Sequence, residues 1–380
     1  MKRYLVGGAV RDRLLGLVPH ERDWVVVGST PEQMRAAGFT QVGRDFPVFL
    51  HPETRDEHAL ARTERKTAPG HQGFVVHAAP EVTLEEDLIR RDLTVNAIAE
   101  EDDGTLIDPF GGQADIAARL LRHVSPAFSE DPLRILRLAR FAARFAPLGF
   151  RVADETRALC QSLSEAGVLG ELPPERVWQE ASRAIMESPA PSVFFTTLAS
   201  LDSLQPWFPW LRGAPEAAWS ALDQAAQVKA ELPVRVAALM TPLTGVTLDA
   251  EALPQVALDL RMPKDVSTVM LACAHCAAAI SRAPALSAEA LLRLLEAMSA
   301  FRAPAVFERV NAAADCVAVA TEQPRNADFL AAARREAVAL QAADVMTDGL
   351  QGPAIGAALF EARRRRLEAW RASAATREGN

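Results

Sequence analysis

LVGGAVRDRLLG, Leu5 to Gly16, followed shortly by Glu21-Arg22-Asp23 and the apolar run Trp24–Val27, decides how the start of this 380-residue chain folds. Arg3–Val6 reads as a strand that runs into Gly7-Gly8, after which an amphipathic helix begins. Two glycines at a strand-to-helix turn let backbone N–H groups come close to a phosphate, and a helix start favours anions. Gly8 is placed to make that approach, and Arg11, on the first turn, is placed to add a guanidinium to a triphosphate. The spacing is not that of the dinucleotide fingerprint GxGxxG. Glu21 and Asp23 precede or open the next strand. On a strand, residues i and i+2 face the same way, roughly 6.5–7 Å apart. Two carboxylates so presented can share Mg²⁺ ions that activate a hydroxyl and hold a nucleoside triphosphate.

Working outward, the composition changes near residue 125. Before it, short β-type runs (Arg3–Val6, Trp24–Val27, Phe46–Leu50, Phe74–His77) are separated by Gly, Pro and Asp turns and by helical stretches. After it the chain is almost wholly Ala, Leu, Arg and Glu with helical periodicity. Breaks fall at Leu172–Pro174, Pro189–Pro191, Pro206–Pro209 and Pro263. This predicts an α+β head followed by an all-α remainder. With 49% hydrophobic and 24% charged residues, packed cores are expected, not disorder. The N-terminal apolar stretch breaks at Arg11-Asp12, too soon for a signal peptide, and no run approaches the about 18 apolar residues of a span. A cytoplasmic protein without a membrane segment is expected. Cys273 and Cys276 flank His275 in an Ala-rich run; the i,i+3 spacing reads as one face of a buried helix, not half of a zinc site. The net charge of −8 argues against a basic coat over the whole surface, but leaves room for a local basic groove. Arg363–Arg366 reads as a solvated helix face.

Two further stretches carry chemistry. In TLEEDLIRRDLTVNAIA, Thr83–Ala99, Thr83 and Glu86 make a capping box, so a helix is predicted. Arg90, Arg91, Asp92 and Asn96 decorate it, with Asp92 and Asn96 at i,i+4 able to orient an arginine toward phosphate. In SEDPLR, Ser129–Arg134, Ser129 reads as an N-cap, with Glu130, Asp131 and Pro132 in the first turn. The helix it opens carries Arg134, Arg137, Arg140 and Arg144 in one stripe beside an apolar face.

Taken in order, Leu5–Gly16, Glu21–Asp23, Arg90–Ala99, Asp108–Asp115 (DPFGGQAD), Glu130–Arg140 and Leu172–Ala181 (LPPERVWQEA) resemble the successive motifs of the second class of bacterial tRNA nucleotidyltransferases, the CCA-adding enzymes. Arg44 in VGRDFPVF and Arg62–Lys66 in ARTERK fit the same head. The resemblance covers about the first 200 residues. It implies a polymerase-β-like catalytic head (1–125), a helical neck (126–200), and a helical body and tail (201–380) that hold tRNA. It implies that Gly8, Arg11, Arg91, Arg137 and Arg140 bind ATP and CTP, and that Glu21 and Asp23 hold Mg²⁺. Asp131 and Arg134 would then select C and A without a nucleic-acid template. Two features depart from the family pattern. The first metal position is Glu21 where the pattern has Asp. No His-Asp dipeptide occurs where relatives can carry a phosphohydrolase module; the corresponding stretch reads AALMTPLTG, Ala237–Gly245.

A bacterial poly(A) polymerase has a similar head, but with further basic residues and a histidine after the VG step, where this chain has acidic Asp45 after Arg44. Specialised CC-adding and A-adding enzymes are the other enzymatic readings. A tRNA-binding pseudoenzyme is motivated by Glu21 and the altered C-terminal half, and opposed by Asp23, Arg91 and the Asp131/Arg134 pair. From the missing His-Asp dipeptide, purified protein supplied with Ni²⁺ or Mg²⁺ is expected to leave 2′,3′-cyclic AMP intact; its hydrolysis contradicts this reading.

Overall fold

The computed structural model describes residues 1–19, 21–42, 48–66, 74–346 and 351–378. Arg44 and the first two residues of the expected strand Phe46–Leu50 lie outside them. The chain forms two compact units, residues 1–184 with 193–209, and residues 185–192 with 210–380.

The first unit opens with β1 (Lys2–Val6), α1 (Gly8–Leu14), β2 (Asp23–Val27), α2 (Pro31–Ala36), β3 (Thr40–Val42), β4 (Val48–Leu50) and β5 (Glu57–Leu60). A separate hairpin follows, β6 (Thr63–Lys66) and β7 (Phe74–His77), then α3 (Leu84–Ile89), β8 (Ala99–Glu100), β9 (Leu106–Ile107) and α4 (Gly112–Ala118). The main sheet has seven strands in the order β3-β4-β5-β2-β1-β8-β9. It is antiparallel except where β2 and β5 run parallel, which aligns Asp23 with Glu57 and Trp24 with His58. Strand alternation covers both faces. Val25 packs with Tyr4, Val6, Leu88 and Ala99, whereas Val26 packs with Met34, Phe49 and Leu60. Asp23 therefore shares the α3 side of the sheet with Val25.

The rest of this unit is helical apart from a two-stranded ladder, β10 (Leu120–Leu121) with β11 (Arg151–Val152). Its main elements are α5 (Leu133–Phe145), α6 (Asp154–Glu165) and α7 (Pro174–Glu187). Of residues 126–200, read from the sequence as a neck, 126–184 and 193–200 share one compact unit with the head.

Two expected helices differ in extent. The helix expected through Thr83–Ala99 stops at Ile89; its capping box is present as predicted. The Leu93 amide donates to Asp92 Oδ1 at 2.8 Å instead of to a helical carbonyl, so the side chain competes successfully with the ladder. Asp92 and Asn96 consequently lie on an extended turn and a 3₁₀ turn (Thr94–Asn96). Likewise Ser129 is not the N-cap of α5. Its hydroxyl donates to Pro126 O at 2.7 Å within a 3₁₀ turn, and it is Asp131 that accepts from the Leu133 amide at 3.1 Å.

Among the described residues no strand follows Val152. The second unit is built on helices such as Lys264–Ile280, Ala288–Ala297, Pro304–Ala320 and Pro353–Glu378 around Leu291, Leu295, Phe307, Leu330 and Leu367. Cys273 and Cys276 face that core while His275 is exposed, so the pair occupies a buried helix face as expected. Burial pushes their thiols up to about 12 and about 11. The arginine run is more engaged than a solvated face. Arg363 donates to Leu340 O and lies over Phe301, Arg364 and Arg365 pair with Glu361, and Arg366 pairs with Glu336. No helix among the described residues is long and apolar enough to cross a membrane.

DPFGGQAD positions the Thr94–Asn96 turn. Asp108 accepts from the amides of Gly112 (2.7 Å) and Gln113 (2.8 Å), capping α4, and Asp115 accepts from Thr94 Oγ1 at 2.7 Å. A Cβ on Gly112 would stand 2.3 Å from Thr94 O and 2.7 Å from the Ile98 side chain. Overpacking of this kind destabilises by about 1–3 kcal/mol, so Gly112→Ala is expected to lower the urea unfolding midpoint; an unchanged midpoint contradicts the packing described.

Candidate active site

Part of the set singled out from the sequence is linked in one chain of contacts, from Asp23 and Arg91 at the Gly7 turn through Asn96 and Arg11 to Asp92 and Arg137. Gly7 has φ +67°, a conformation that L side chains rarely adopt, and a Cβ there would meet Arg91 Nη1 at 2.8 Å. Gly7 therefore serves two ends, turning the chain into α1 and letting the Arg91 guanidinium lie against the backbone, whereas a Cβ on Gly8 would make only an ordinary contact with Arg11 at 3.5 Å. Arg91 is gripped by Asp87 Oδ2 at 3.2 Å, while Asp87 also takes Arg90 at 2.7 Å. Arg91 Nε is buried with no hydrogen-bond partner.

Asp23 opens β2 and is exposed; Glu21 lies two residues before the strand and is also exposed. The two expected metal positions thus sit on a loop and on the first strand residue, not both on a strand. Partial burial of the Asp23 carboxyl raises it above its ordinary value; Arg91 opposes this, and Glu21 and Glu57 add like charge. Negative charge on hard oxygen donors, offset only in part by Arg91, fits a divalent cation such as Mg²⁺.

Behind this edge lies a chain of buried polar contacts. Asp92 is buried and accepts from Asn96 Nδ2 (2.9 Å), from Arg137 Nε (2.9 Å) and from Arg137 Nη2 (2.8 Å). Burial alone would raise its pKa. The charge of Arg137, the hydrogen bonds from Asn96 and Arg137, and the charge of Arg134 more than offset burial, and the carboxyl is held well below the usual carboxylate range. Asn96 Oδ1 in turn accepts from Arg11 Nη1. The expected use of Asp92 and Asn96 to orient arginines is what the structure shows, although on turns and not on a helix.

Each arginine of the α5 stripe is bound, so the stripe is not a solvated face. Arg134 donates to Ala127 O at 2.9 Å and to Arg90 O at 2.6 Å, Arg137 pairs with Asp92, Arg140 with Glu180 at 2.6 Å, and Arg144 with Asp12 at 2.8 Å. Arg11, read from the sequence as placed to reach a triphosphate, is buried. It is 2% exposed, held by Asp12 at 2.6 Å and stacked near Phe141 (5.1 Å) and Phe145 (4.9 Å) of α5. Arg140 is equally buried, at 4%. Arg137, with its side chain 35% exposed, is the member of these three that reaches the surface. Asp131 and Arg134, expected side by side, are engaged separately, Asp131 by Arg176 of α7 at 2.9 Å.

Asp12, Asp87, Arg176 and Glu180 hold the site together and were not assigned roles from the sequence. Their signals were present. Asp87 precedes Arg90 and Arg91 by three and four positions, and Arg176 and Glu180 stand one helical turn apart with opposite charge.

The site's sequence has clear relatives. Residues 3–122 match the family described as the poly A polymerase head domain. The chain is 49% identical to a multifunctional CCA protein of Thioalkalivibrio sulfidiphilus, over 96% of this chain and 97% of that protein. It is 48% identical to a CCA-adding enzyme of Pseudomonas putida, over 98% and 100%. Among solved structures, the CCA-adding enzyme of Bacillus stearothermophilus in complex with CTP matches with a TM-score of 0.69 at 26% identity, covering 100% of this chain and 94% of that one.

The depressed Asp92 carboxyl makes a pH prediction. An acid whose folded pKa lies below its unfolded value, about 3.9 for Asp, contributes stability that is present above that value and lost as pH falls toward the folded pKa. Asp92→Asn is therefore expected to lower the urea midpoint at pH 6, with the gap to wild type narrowing at pH 3. A gap that does not change with pH contradicts the ion-pair account.

Proposed function

This chain belongs to the family of CCA-adding enzymes, and we propose that it builds and repairs the 3′-terminal CCA of tRNA, transferring nucleotides from CTP and ATP to a 3′-hydroxyl. In that reaction the hydroxyl oxygen bonds to the α-phosphorus, the bond to the β-phosphate oxygen breaks, and pyrophosphate leaves with the hydroxyl proton going to solvent. The observation that carries the proposal is the placement of Asp23 within the field of Arg91, at the Gly7-Gly8 turn and in one compact unit with the α5 arginines.

Glu21 and Asp23 would hold Mg²⁺, which when bound lowers the pKa of the attacking hydroxyl and neutralises triphosphate charge. The extra methylene of Glu21, on the loop before β2, is compatible with a ligand that reaches in from outside the strand. Gly8 and Arg91 bind the triphosphate, as does Arg137 on the exposed side of its pair with Asp92. Arg11 and Arg140, committed to Asp12 and Glu180, form the floor of the same site. Asp131 and Arg134 select the base. Cytosine and adenine offer an exocyclic amino donor beside a ring-nitrogen acceptor, where guanine and uracil offer a carbonyl and a ring N–H. An accepting carboxylate beside a donating arginine admits the first pair and rejects the second. In this structure Arg134 is held in place by donating through Nη1 to Ala127 O and through Nη2 to Arg90 O. The helical body and tail, 201–380, hold the tRNA.

The direct test is to incubate purified protein with tRNA lacking its 3′ end, CTP and ATP, and to sequence the product. CCA is expected. A run of A identifies a poly(A) polymerase, an arrest at CC a CC-adding enzyme, and A only on CC-ended tRNA an A-adding enzyme. Asp23→Ala is expected to abolish transfer with the fold intact, and Glu21→Asp to be tolerated. Asp131→Ala is expected to relax rejection of UTP and GTP by roughly 5- to 150-fold, corresponding to about 1–3 kcal/mol per base pairing. Arg137→Ala is expected instead to raise KM for CTP and ATP. An unchanged four-nucleotide profile in Asp131→Ala removes the base-selection role.

A further inference from the structure

Asp131 does not meet a base as an isolated carboxylate. Arg176, in the first turn of α7, donates from Nη2 to Asp131 Oδ2 at 2.9 Å and from Nη1 to Oδ1 at 3.3 Å. The Leu133 amide adds a third donor to Oδ1 at 3.1 Å. A two-pronged guanidinium contact fixes both the position and the plane of a carboxylate, which a single donor does not. The pair is mostly covered, with side-chain exposures of 23% and 22%, so it is shielded from the competition with water that weakens surface pairs. One turn further along α7, Glu180 accepts from Arg140 at 2.6 Å and lies 3.7 Å from Arg137. Residues at i and i+4 share a helix face. A single face of α7 therefore holds the acceptor at the start of α5 with a cation and two of its arginines with an anion.

We propose that Arg176 is a positioning residue that sets nucleotide specificity: it aims the Asp131 carboxylate at the amino group of cytosine or adenine without touching the base itself. This rests on the reading of Asp131 as a base selector. The chemistry explains why aim matters. Uracil and guanine are rejected because a carbonyl oxygen faces the carboxylate where an amino group should be. Next to that carbonyl, both bases carry a ring N–H. A carboxylate free to swing by one ring position accepts from this N–H and welcomes the wrong base. Asp131 keeps its charge and its hydrogen-bonding capacity when Arg176 is removed; what it loses is direction. Removing Arg176 should therefore damage discrimination more than binding.

The test measures kcat/KM for all four nucleoside triphosphates on 3′-truncated tRNA in wild type, Arg176→Ala, Arg176→Lys, Asp131→Ala and the Arg176→Ala/Asp131→Ala double variant, with thermal unfolding of each. In Arg176→Ala, use of UTP and GTP relative to CTP and ATP is expected to rise roughly five-fold or more, with KM for CTP changed much less. Arg176→Lys, which keeps one charged donor and guards against a folding defect in the alanine variant, should restore part of the discrimination. The double variant should be no less selective than Asp131→Ala. An Arg176→Ala protein that loses activity equally on all four nucleotides, beside an Asp131→Ala protein with an altered profile, overturns the positioning role alone. An unaltered profile in Asp131→Ala overturns the base-selection reading and this proposal with it.

Discussion

The buried ion pair between Asp92 and Arg137 is the contact on which the geometry of this site depends. A carboxylate withdrawn from water is heavily penalised unless charge and hydrogen bonds compensate it. Here the compensation comes from two directions, Arg137 of α5 and Asn96 of the turn. Asp92 can be both buried and ionised only while α5 and the Thr94–Asn96 turn are docked together. Asp12 repeats the arrangement, taking Arg11 from its own helix and Arg144 from α5. Two acidic residues of the head thus capture Arg137 and Arg144 of the following helix, and residues 126–184 fold as part of the same unit.

The same arrangement separates support from recognition. Arg11 and Arg140 are spent on carboxylates and aromatic rings in the interior, whereas Arg137 remains part-exposed and Arg91 lies over a glycine beside Asp23. In the proposed reaction, arginines already held by carboxylates need little reorganisation to receive a triphosphate, and preorganised charge contributes most in a partly dry site. The acidic edge at the start of β2 has the opposite character. Glu21, Asp23 and Glu57 place like charge on one rim, with Arg91 the opposing cation that acts on Asp23.

Much of this was legible in the sequence because backbone-specific residues announce themselves. The Gly7-Gly8 turn, the Asp23 strand and the Thr83 capping box follow from local rules that the structure bears out, and so does the helical remainder apart from the two-residue strand Arg151–Val152. The ends of the helices did not follow, because Asp92 and Asp131 take backbone amides with their own side chains, which a periodicity argument counts as ordinary polar helix positions. Burial of Arg11 and Arg140 was also hidden. A stripe of arginines reads as a wet face unless the carboxylates that meet it are known, and Asp12 and Glu180 lie 132 and 40 positions from their partners on α5. The signals that survive such distances are opposite charges one helical turn apart, as at Arg176 and Glu180.

The central claim is that Asp92 contributes to nucleotide binding only by holding Arg137. It is tested most directly by the dissociation constant for CTP, measured by calorimetry in wild type, Asp92→Asn, Arg137→Ala and the double variant. If Asp92 acts through Arg137, each single change weakens CTP binding and the double variant binds about as weakly as Arg137→Ala alone. Distant, independent residues give additive losses; additive losses here would show that Asp92 and Arg137 act separately and would contradict the account.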